Sequence, residues 1–470
     1  MKTKQVSINE MPLEKRMDTF DEVILGYNEE QAVMEAGRCL QCKNPVCIEG
    51  CPVGINIKQF IEEIKNRKFL DAYKTIKEKN NFPSVCGRVC PAEFQCRKAC
   101  VLTKKGERFA SDNAINIHFL ERFAGDYGKE HESDIDIKLS KTNGKKVAVV
   151  GSGPAGLCVA GELARKGVKV VIFESLHTPG GVLRYGIPPF RLPGEILDFE
   201  INYLKKLGVE IVQNYIIGRT GGLRELFKKG FSAVFLGLGA GTPAFMKIPG
   251  ENLCNVYSAN EFLTRVNLMS AYKFPEYHTP INIGKSMLVI GGGNTAMDSA
   301  RVALRLQKLN GLKPNVTIVY RRTEEEMPAR RLELSHAKEE GIIFKVLVQP
   351  ISFIGDENNY VKKMRSLKCA LGDLDKSGRP RPVPIKNSEF DLDCDVAIIA
   401  IGLKANKILT RETQDLKIDA KGDLIVNRET METSISGVYA GGDIVGGEGT
   451  VIEAMGMGKT AAESILKYIS

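Results

Sequence analysis

Two stretches of this chain carry the same uncommon pattern. VAVVGSGPAGLCVAGELARKGVKVVIFE (147–174) passes from an apolar β-like run through a glycine turn into a helix, then into a second apolar run that ends in an acid. SMLVIGGGNTAMDSARVALRL (286–306), followed by VTIVY (316–320), repeats it. A strand that turns on glycine into a helix opens a βαβ unit, which requires a parallel sheet with helices on its faces. Two such openings, at Gly151 and 140 residues on at Gly291, predict two nucleotide-binding domains and an α/β fold.

In the first opening, Gly151, Gly153 and Gly156 form G-x-G-x-x-G, with Pro154 and Ala155 beginning the helix. The first glycine permits the tight turn, the second lets a pyrophosphate approach the backbone, and the third lets helix and strand pack. The free N–H groups of the helix N-terminus then face the phosphates. Glu174, eighteen residues past Gly156, is placed to accept from ribose hydroxyls. The competing reading is an ordinary tight βα turn. FAD is favoured over NAD here by AGGDIVGGEGTVIEAMGMGKTAA near the C-terminus. The Gly442–Asp443 turn would meet the flavin ribityl chain, and a helix starting near Val451 would aim its positive end at the flavin N1/O2 edge. Gly181, Arg184 and Arg191, in GGVLRYGIPPFRLP (180–193), are further candidates at the flavin, with surface salt bridges as the alternative for both arginines.

The second opening reads Gly291, Gly293, Ala296, with Asn294 and Thr295 at the helix start. An NAD site would close its second strand with an acid, whereas this one closes with Arg321 and Arg322. Two guanidiniums suit a 2′-phosphate, so NADP(H) is expected. The alternative is that they pair with Glu324, Glu325 and Glu326 on a solvated turn.

Eight of the twelve cysteines fall between residues 39 and 100. The first group reads Cys39-x2-Cys42-x4-Cys47-x3-Cys51-Pro52, and the second Cys86-x3-Cys90-Pro91-x4-Cys96-x3-Cys100. Clustered, ligand-spaced cysteines in a long chain with no apolar leader indicate metal or redox chemistry rather than disulfides. In two-cluster ferredoxins the fourth cysteine of one motif ligates the other cluster. The same crossing assigns Cys39, Cys42, Cys47 and Cys100 to one [4Fe–4S] cluster, and Cys51, Cys90 and Cys96 to a second. Zinc is the competitor, because it also accepts four thiolates. Cys86 is a fourth ligand by element, or a buried spare one helical turn before Cys90.

Composition excludes several classes. At 43% hydrophobic and 26% charged residues the chain is globular. The formal charge of +9 is scattered among acids, without a basic run interleaved with aromatics, so no nucleic acid is expected. A basic surface would instead steer an acidic partner such as a ferredoxin. No stretch is apolar enough to span a membrane, and MKTKQVSINEMPLEKR lacks a secretory h-region, so a cytoplasmic location is expected. Cys254, Cys369 and Cys394 are too far apart to be a redox pair beside the flavin, which argues against a disulfide reductase. The five histidines show no ligand spacing.

The cysteine pattern, GSGPAGL, GGVLRYGIPPFRLP and GGGNTAMD together resemble the glutamate synthase small-subunit family over nearly the whole chain. Within it, RCLQCKNPVCIEGCPVG (38–54) on a freestanding chain most resembles the large subunit of NADH-dependent reduced ferredoxin:NADP+ oxidoreductase, an electron-bifurcating transhydrogenase. The resemblance implies a helical two-[4Fe–4S] domain (1–144) ahead of FAD-binding (145–280 and 395–470) and NADP(H)-binding (281–394) domains, the latter inserted into the former. It implies that Glu121, in AINIHFLERF (114–123), is the fourth ligand of the second cluster in preference to Cys86. It also implies a partner subunit: a smaller flavin/[2Fe–2S] chain with ferredoxin as acceptor, or a glutamate synthase large subunit. A non-catalytic zinc scaffold is the remote alternative.

Overall fold

The computed structural model describes residues 4–104, 106–135, 137, 139–375, 378–447 and 449–470. Both glycine openings produce the expected βαβ starts. The first feeds a parallel five-stranded sheet in the order Val438–Ala440, Ala233–Leu236, Lys146–Val150, Lys169–Phe173, Glu210–Val212. The second feeds another, ordered Ile343–Val346, Val316–Tyr320, Met287–Ile290, Val396–Ile399, Val256–Ser258. The central strands of both are buried along their length, as expected of sheets covered on both faces. In each sheet the strand that opens the βαβ unit is central, with neighbours reached by opposite crossovers. That is a topological switch point, where open α/β sheets bind their ligands.

Sheet membership moves two expected joins. Residues 256–258 and 396–399 were assigned by sequence to the flavin domain, but both pair within the second sheet, 396–399 in parallel with 287–290 and 256–258 with 396–399. The apolar run DVAIIAIG declares a strand without naming its neighbour, and the pairing is set by long-range packing. The chain therefore leaves the first sheet after Leu236 and returns through Leu403–Lys404, which pairs antiparallel with Thr242–Pro243. These two crossings lie side by side. On the second sheet's outer face sits an antiparallel sheet built on Val348–Gly355 and Val361–Leu374, whose Phe353, Val361 and Met364 pack on Leu288, Ile290 and Val319.

Amphipathic spacing in 59–79 forms two helices, Ile57–Lys65 and Phe69–Lys77, which bury Phe60, Ile61, Ile64, Phe69 and Ile76. Helix Pro83–Val89 lies directly on helix Ile117–Glu130. Their contact depends on Gly87 and Gly125, where a Cβ would stand 2.5 Å from the Arg122 backbone and 2.6 Å from the Ser84 nitrogen. The polar linker expected over 128–146 begins inside the last turn of that long helix; residues 136 and 138 lie outside the described ones. The C-terminal helix Val451–Ile469 packs on Pro154–Ala164 of the first domain. Its Gly456 closes on the Cys-Pro turn, 2.9 Å separating a Cβ placed there from the Pro52 carbonyl oxygen, and its Lys459 donates to the carbonyls of Val53 and Lys79.

The N-terminal segment straps onto the second nucleotide domain. Phe20 stacks on Tyr272 at 4.2 Å, Arg305 donates to the Thr19 carbonyl, and Arg16 bridges Glu10 and Glu339. His336 lies in the same cluster, 3.3 Å from Glu10. Among the described residues Glu10, His336 and Glu339 are the one group of potential metal ligands whose atoms all lie within 4.8 Å, and Arg16 already neutralises its two carboxylates. Among the described residues no helix is long and apolar enough to cross a membrane.

Candidate active site: a two-nucleotide cleft beside two cysteine groups

A cleft of about 510 Å3 runs between the two parallel sheets. Gly151 holds φ +95° with the Gly237 carbonyl oxygen 2.4 Å from where a Cβ would sit, so only glycine makes this turn. Gly156 is equally closed against Gly151, whereas no atom lies within 4 Å of a Cβ at Gly153, which faces the cleft. Pro154 and Ala155 line the cleft at the helix start, and Gly181 closes on Gly153. Glu174 does more than await a ribose. Its carboxylate accepts from the Ser152 N–H at 2.9 Å and the Leu176 N–H at 2.8 Å, as well as from both serine hydroxyls, so it also ties the glycine turn to its own strand end.

Across the cleft stand Gly442, Asp443 and Val451. Burial pushes the Asp443 carboxyl above its ordinary range. Thr450 caps the C-terminal helix by accepting from the Glu453 N–H, so the positive end of that helix opens at Val451 into the cleft. Glu448 lies outside the described residues.

Asn294 and Thr295 bring the second nucleotide turn to the same cleft. Gly291 packs against the Ala400 carbonyl, Gly293 is open, and Ala296 is buried where the first turn has its third glycine. The paired arginines diverge. Arg322 is buried, donating to the Pro380 carbonyl at 2.7 Å and to Asp375 at 2.6 Å, and so anchors the antiparallel hairpin. Arg321 is exposed and makes no ion pair among the described residues. Of the three glutamates after it, Glu324 pairs with Lys338 and Glu326 accepts from Thr323.

The two arginines of GGVLRYGIPPFRLP also separate. Arg184 is outside the cleft lining, with its guanidinium on Asp198 and the Gly194 carbonyl, and the salt-bridge reading holds for it. The short helix Val182–Tyr185 turns Tyr185 into the cleft and Arg184 away. Arg191 is in the lining and buried. It forks onto Asp298 at 2.7 and 2.9 Å and reaches Glu333 at 2.9 Å. Arg301 and Arg305 extend this network onto Glu333 and Glu340. Burial pushes Asp298 up to about 6 against the pull of Arg191. Glu333 is also buried, but the guanidiniums of Arg191, Arg301 and Arg330 outweigh that and hold it at about 2. Asp298 lies in the GGGNTAMD motif, yet its spacing carried no sign of a partner more than a hundred residues away.

The cysteines separate into the two crossed groups. Cys39, Cys42, Cys47 and Cys100 surround one small hollow walled by Leu40, Val46, Ile57, Ile61 and Val101. Leu40 and Val101 are 62% and 53% exposed, so this hollow opens at the surface. Burial foremost raises the thiols of Cys51 and Cys96 and the Cys86 contact that of Cys90, and all three also lie close enough to Glu121 to be raised by its carboxylate, so they share one neighbourhood. Burial pushes Cys47 up to about 12, Cys51 to about 11 and Glu121 to about 8. Cys86 is fully buried against Cys90. Two buried nitrogens of this segment, Arg97 Nε and His118 Nδ1, have no hydrogen-bond partner among the described residues. The second group adjoins the cleft: Val89 and Pro91, flanking Cys90, are part of its lining.

Comparison with known proteins accounts for both halves. Residues 16–133 match the family model of dihydropyrimidine dehydrogenase domain II, 4Fe-4S cluster, and residues 145–458 that of pyridine nucleotide-disulphide oxidoreductase. The glutamate synthase [NADPH] small chain of Azospirillum brasilense is 33% identical over 99% of this chain and 95% of its own length. That of Escherichia coli is 34% identical over 97% and 96%. The NADP(+)-dependent formate dehydrogenase subunit beta of Moorella thermoacetica is 36% identical, covering 90% of this chain and 60% of its own. Among solved structures, Mycobacterium tuberculosis FprA in complex with NADPH superposes with a TM-score of 0.58 at 20% identity, over 69% of this chain and 84% of its own, which is a likeness of fold. The chain belongs to the glutamate synthase small-chain family and is an NADP(H)-dependent oxidoreductase whose cofactors are FAD and [4Fe–4S] clusters.

Proposed function

We propose that this chain exchanges hydride with NADP(H) and single electrons with two [4Fe–4S] clusters, as the large subunit of an electron-bifurcating NADH-dependent ferredoxin:NADP+ oxidoreductase. The observation that carries the electron path is that Val89 and Pro91, on either side of Cys90, wall the same cleft as both nucleotide turns. FAD, when bound, exchanges hydride with a pyridine nucleotide and electrons one at a time with a cluster.

The protein's part is position and charge. Gly151, Gly153 and the helix start at Pro154 receive the flavin pyrophosphate, and Glu174 takes the ribose hydroxyls in place of the Ser152 and Ser175 hydroxyls that fill its remaining acceptor sites. Asp443 and the helix end at Val451 face the flavin. Asn294 and Thr295 take the nucleotide, with Arg321 on its 2′-phosphate. Arg191, clamped on Asp298, joins the flavin-domain loop to the helix of the nucleotide domain across the cleft. Cys39, Cys42, Cys47 and Cys100 hold one cluster at the surface; Cys51, Cys90, Cys96 and Glu121 hold the other beside the flavin. The 4Fe-4S family model matched by residues 16–133 supports iron–sulfur over zinc. The exposed first hollow is where a ferredoxin or partner subunit would accept electrons.

A second reading, the electron-supplying small subunit of a glutamate synthase, is favoured by the near-complete overlap with the small chains of A. brasilense and E. coli. Purification of the native complex separates the two. A co-purifying flavin/[2Fe–2S] chain with NADPH-driven reduction of both NAD+ and ferredoxin supports bifurcation. A large amidotransferase chain with glutamine-dependent glutamate formation supports the second reading and overturns the first.

A further inference from the structure

Glu121 and Cys86 both reach the second cysteine group, which has one ligand position left to fill. Between them is Asn80, fully buried and served on both sides of its amide. Its Oδ1 accepts from the Phe82 N–H at 2.8 Å, which fixes the amide's orientation, and accepts the Cys86 thiol at 3.7 Å. Its Nδ2 therefore points the other way and donates to Glu121 Oε1 at 2.6 Å. One carboxylate oxygen is held by this bond, and the Cys86 sulfur is turned onto the same amide and onto Met455 Sδ at 3.6 Å. Second-shell bonds of this kind fix the orientation of a ligand and tune the metal it holds.

We propose that Asn80 is a positioning residue that selects the fourth ligand of the second cluster: its amide N–H holds Glu121 in place to offer iron its free oxygen, and its carbonyl keeps the Cys86 thiol engaged as a donor. The proposal rests on the reading that Cys51, Cys90 and Cys96 hold a [4Fe–4S] cluster. Loss of Asn80 then changes which atom completes that cluster while leaving the first cluster untouched.

The test uses the full chain purified anaerobically, with iron and sulfide analysis and electron paramagnetic resonance of the dithionite-reduced protein, in which the first cluster's signal is the internal reference. Asn80→Leu, of similar volume, and Asn80→Asp, which keeps the acceptor and loses the donor, are both expected to shift or abolish the second cluster's g values with the first cluster's unchanged. Cys86→Ser is expected to retain the iron of both clusters and both signals. Unchanged second-cluster signals in both Asn80 variants overturn the proposal. If neither variant folds, Cys86→Ser decides: loss or shift of the second signal makes Cys86 the ligand and overturns it, and an unchanged signal supports it. Glu121→Ala probes the underlying reading separately. A second-cluster signal that survives unmoved in it removes Glu121 from the ligand set, and wild-type chain holding iron for only one cluster removes the second cluster itself.

Discussion

Lys77→Met is expected to destabilise the chain by about 3–5 kcal/mol, the usual cost of removing one partner from a buried ion pair. Lys77 and Glu200 are both buried, and their 2.8 Å contact joins helix Phe69–Lys77 of the cysteine segment to helix Gly194–Lys206 of the first nucleotide domain. The ammonium also donates to the Asn81 carbonyl at 2.7 Å and lies 3.9 Å from the centre of the Tyr203 ring. With Lys77 gone, Glu200 retains the Ser84 N–H at 3.3 Å and no opposing charge from Lys77. Burial already raises the Glu200 carboxyl above its ordinary value, with Lys77 opposing that rise. Removing the cation raises it further, and this sets the sign of the pH dependence. A carboxyl whose folded pKa exceeds its unfolded value costs stability at high pH, and the cost disappears as pH falls through the folded pKa towards about 4.5. The deficit of Lys77→Met should therefore be largest at neutral and alkaline pH and shrink on acidification. For 470 residues the average unfolding entropy is about 1 kcal/mol/K, so cooperative unfolding would show a fall in Tm of about 3–5 °C. Differential scanning calorimetry of the cofactor-loaded chain across pH 5 to 8 measures it. Lys77→Met/Glu200→Leu should recover at least half of the loss, because no charge is then left buried. A single-variant cost below about 1 kcal/mol, a deficit independent of pH, or a double variant equal to the sum of the two singles would refute the reasoning.

Gly151→Ala should drop bound flavin well below half occupancy, read from absorbance near 450 nm, because its Cβ has no room at 2.4 Å from the Gly237 oxygen and φ is +95°. Arg321→Ala should raise KM for NADPH about 10- to 100-fold, as loss of a charged hydrogen bond worth about 1.5–3 kcal/mol implies, with KM for NADH little changed. Arg301→Met should move acid unfolding to higher pH. Glu333 and Glu340, held at about 2 against their burial by these guanidiniums, contribute stability that is present above pH 4.5 and lost as pH falls towards 2. Circular dichroism against pH would show it.

The parts of this molecule that were legible in the sequence are those whose physics is local. A glycine turn announces itself within ten residues, and both βαβ starts stand where their glycines put them. Cys100 lines the same hollow as Cys39, Cys42 and Cys47, because helix Cys96–Ala99 packs on helix Val46–Glu49. What needed the third dimension was pairing. The run at 396–399 is unmistakably a strand, but nothing in its residues says which sheet it enters. Arg184 and Arg191 are equivalent on paper; the short helix Val182–Tyr185 turns Arg184 onto Asp198, while Arg191, in the turn beyond it, lies in the cleft wall on Asp298. Arg322 looked like half of a phosphate clamp until Asp375, 53 residues away, claimed it. Asn80 and Lys77 carry no signal in the sequence for the same reason, since their partners Glu121 and Glu200 are distant in the chain.

The first sheet takes its edge strand from residues 438–440, and the helix that follows is wedged between the glycine-turn helix and the Cys-Pro turn. A ribosome making this chain would thus hold every cysteine and both phosphate loops outside its exit tunnel before the piece that unites them had been translated. Until then the Cys-Pro turn and the flavin pocket each lack one side. Deleting helix Val451–Ile469 is therefore expected to cost the protein its colour, because it opens the flavin cleft and uncovers the Cys-Pro turn together.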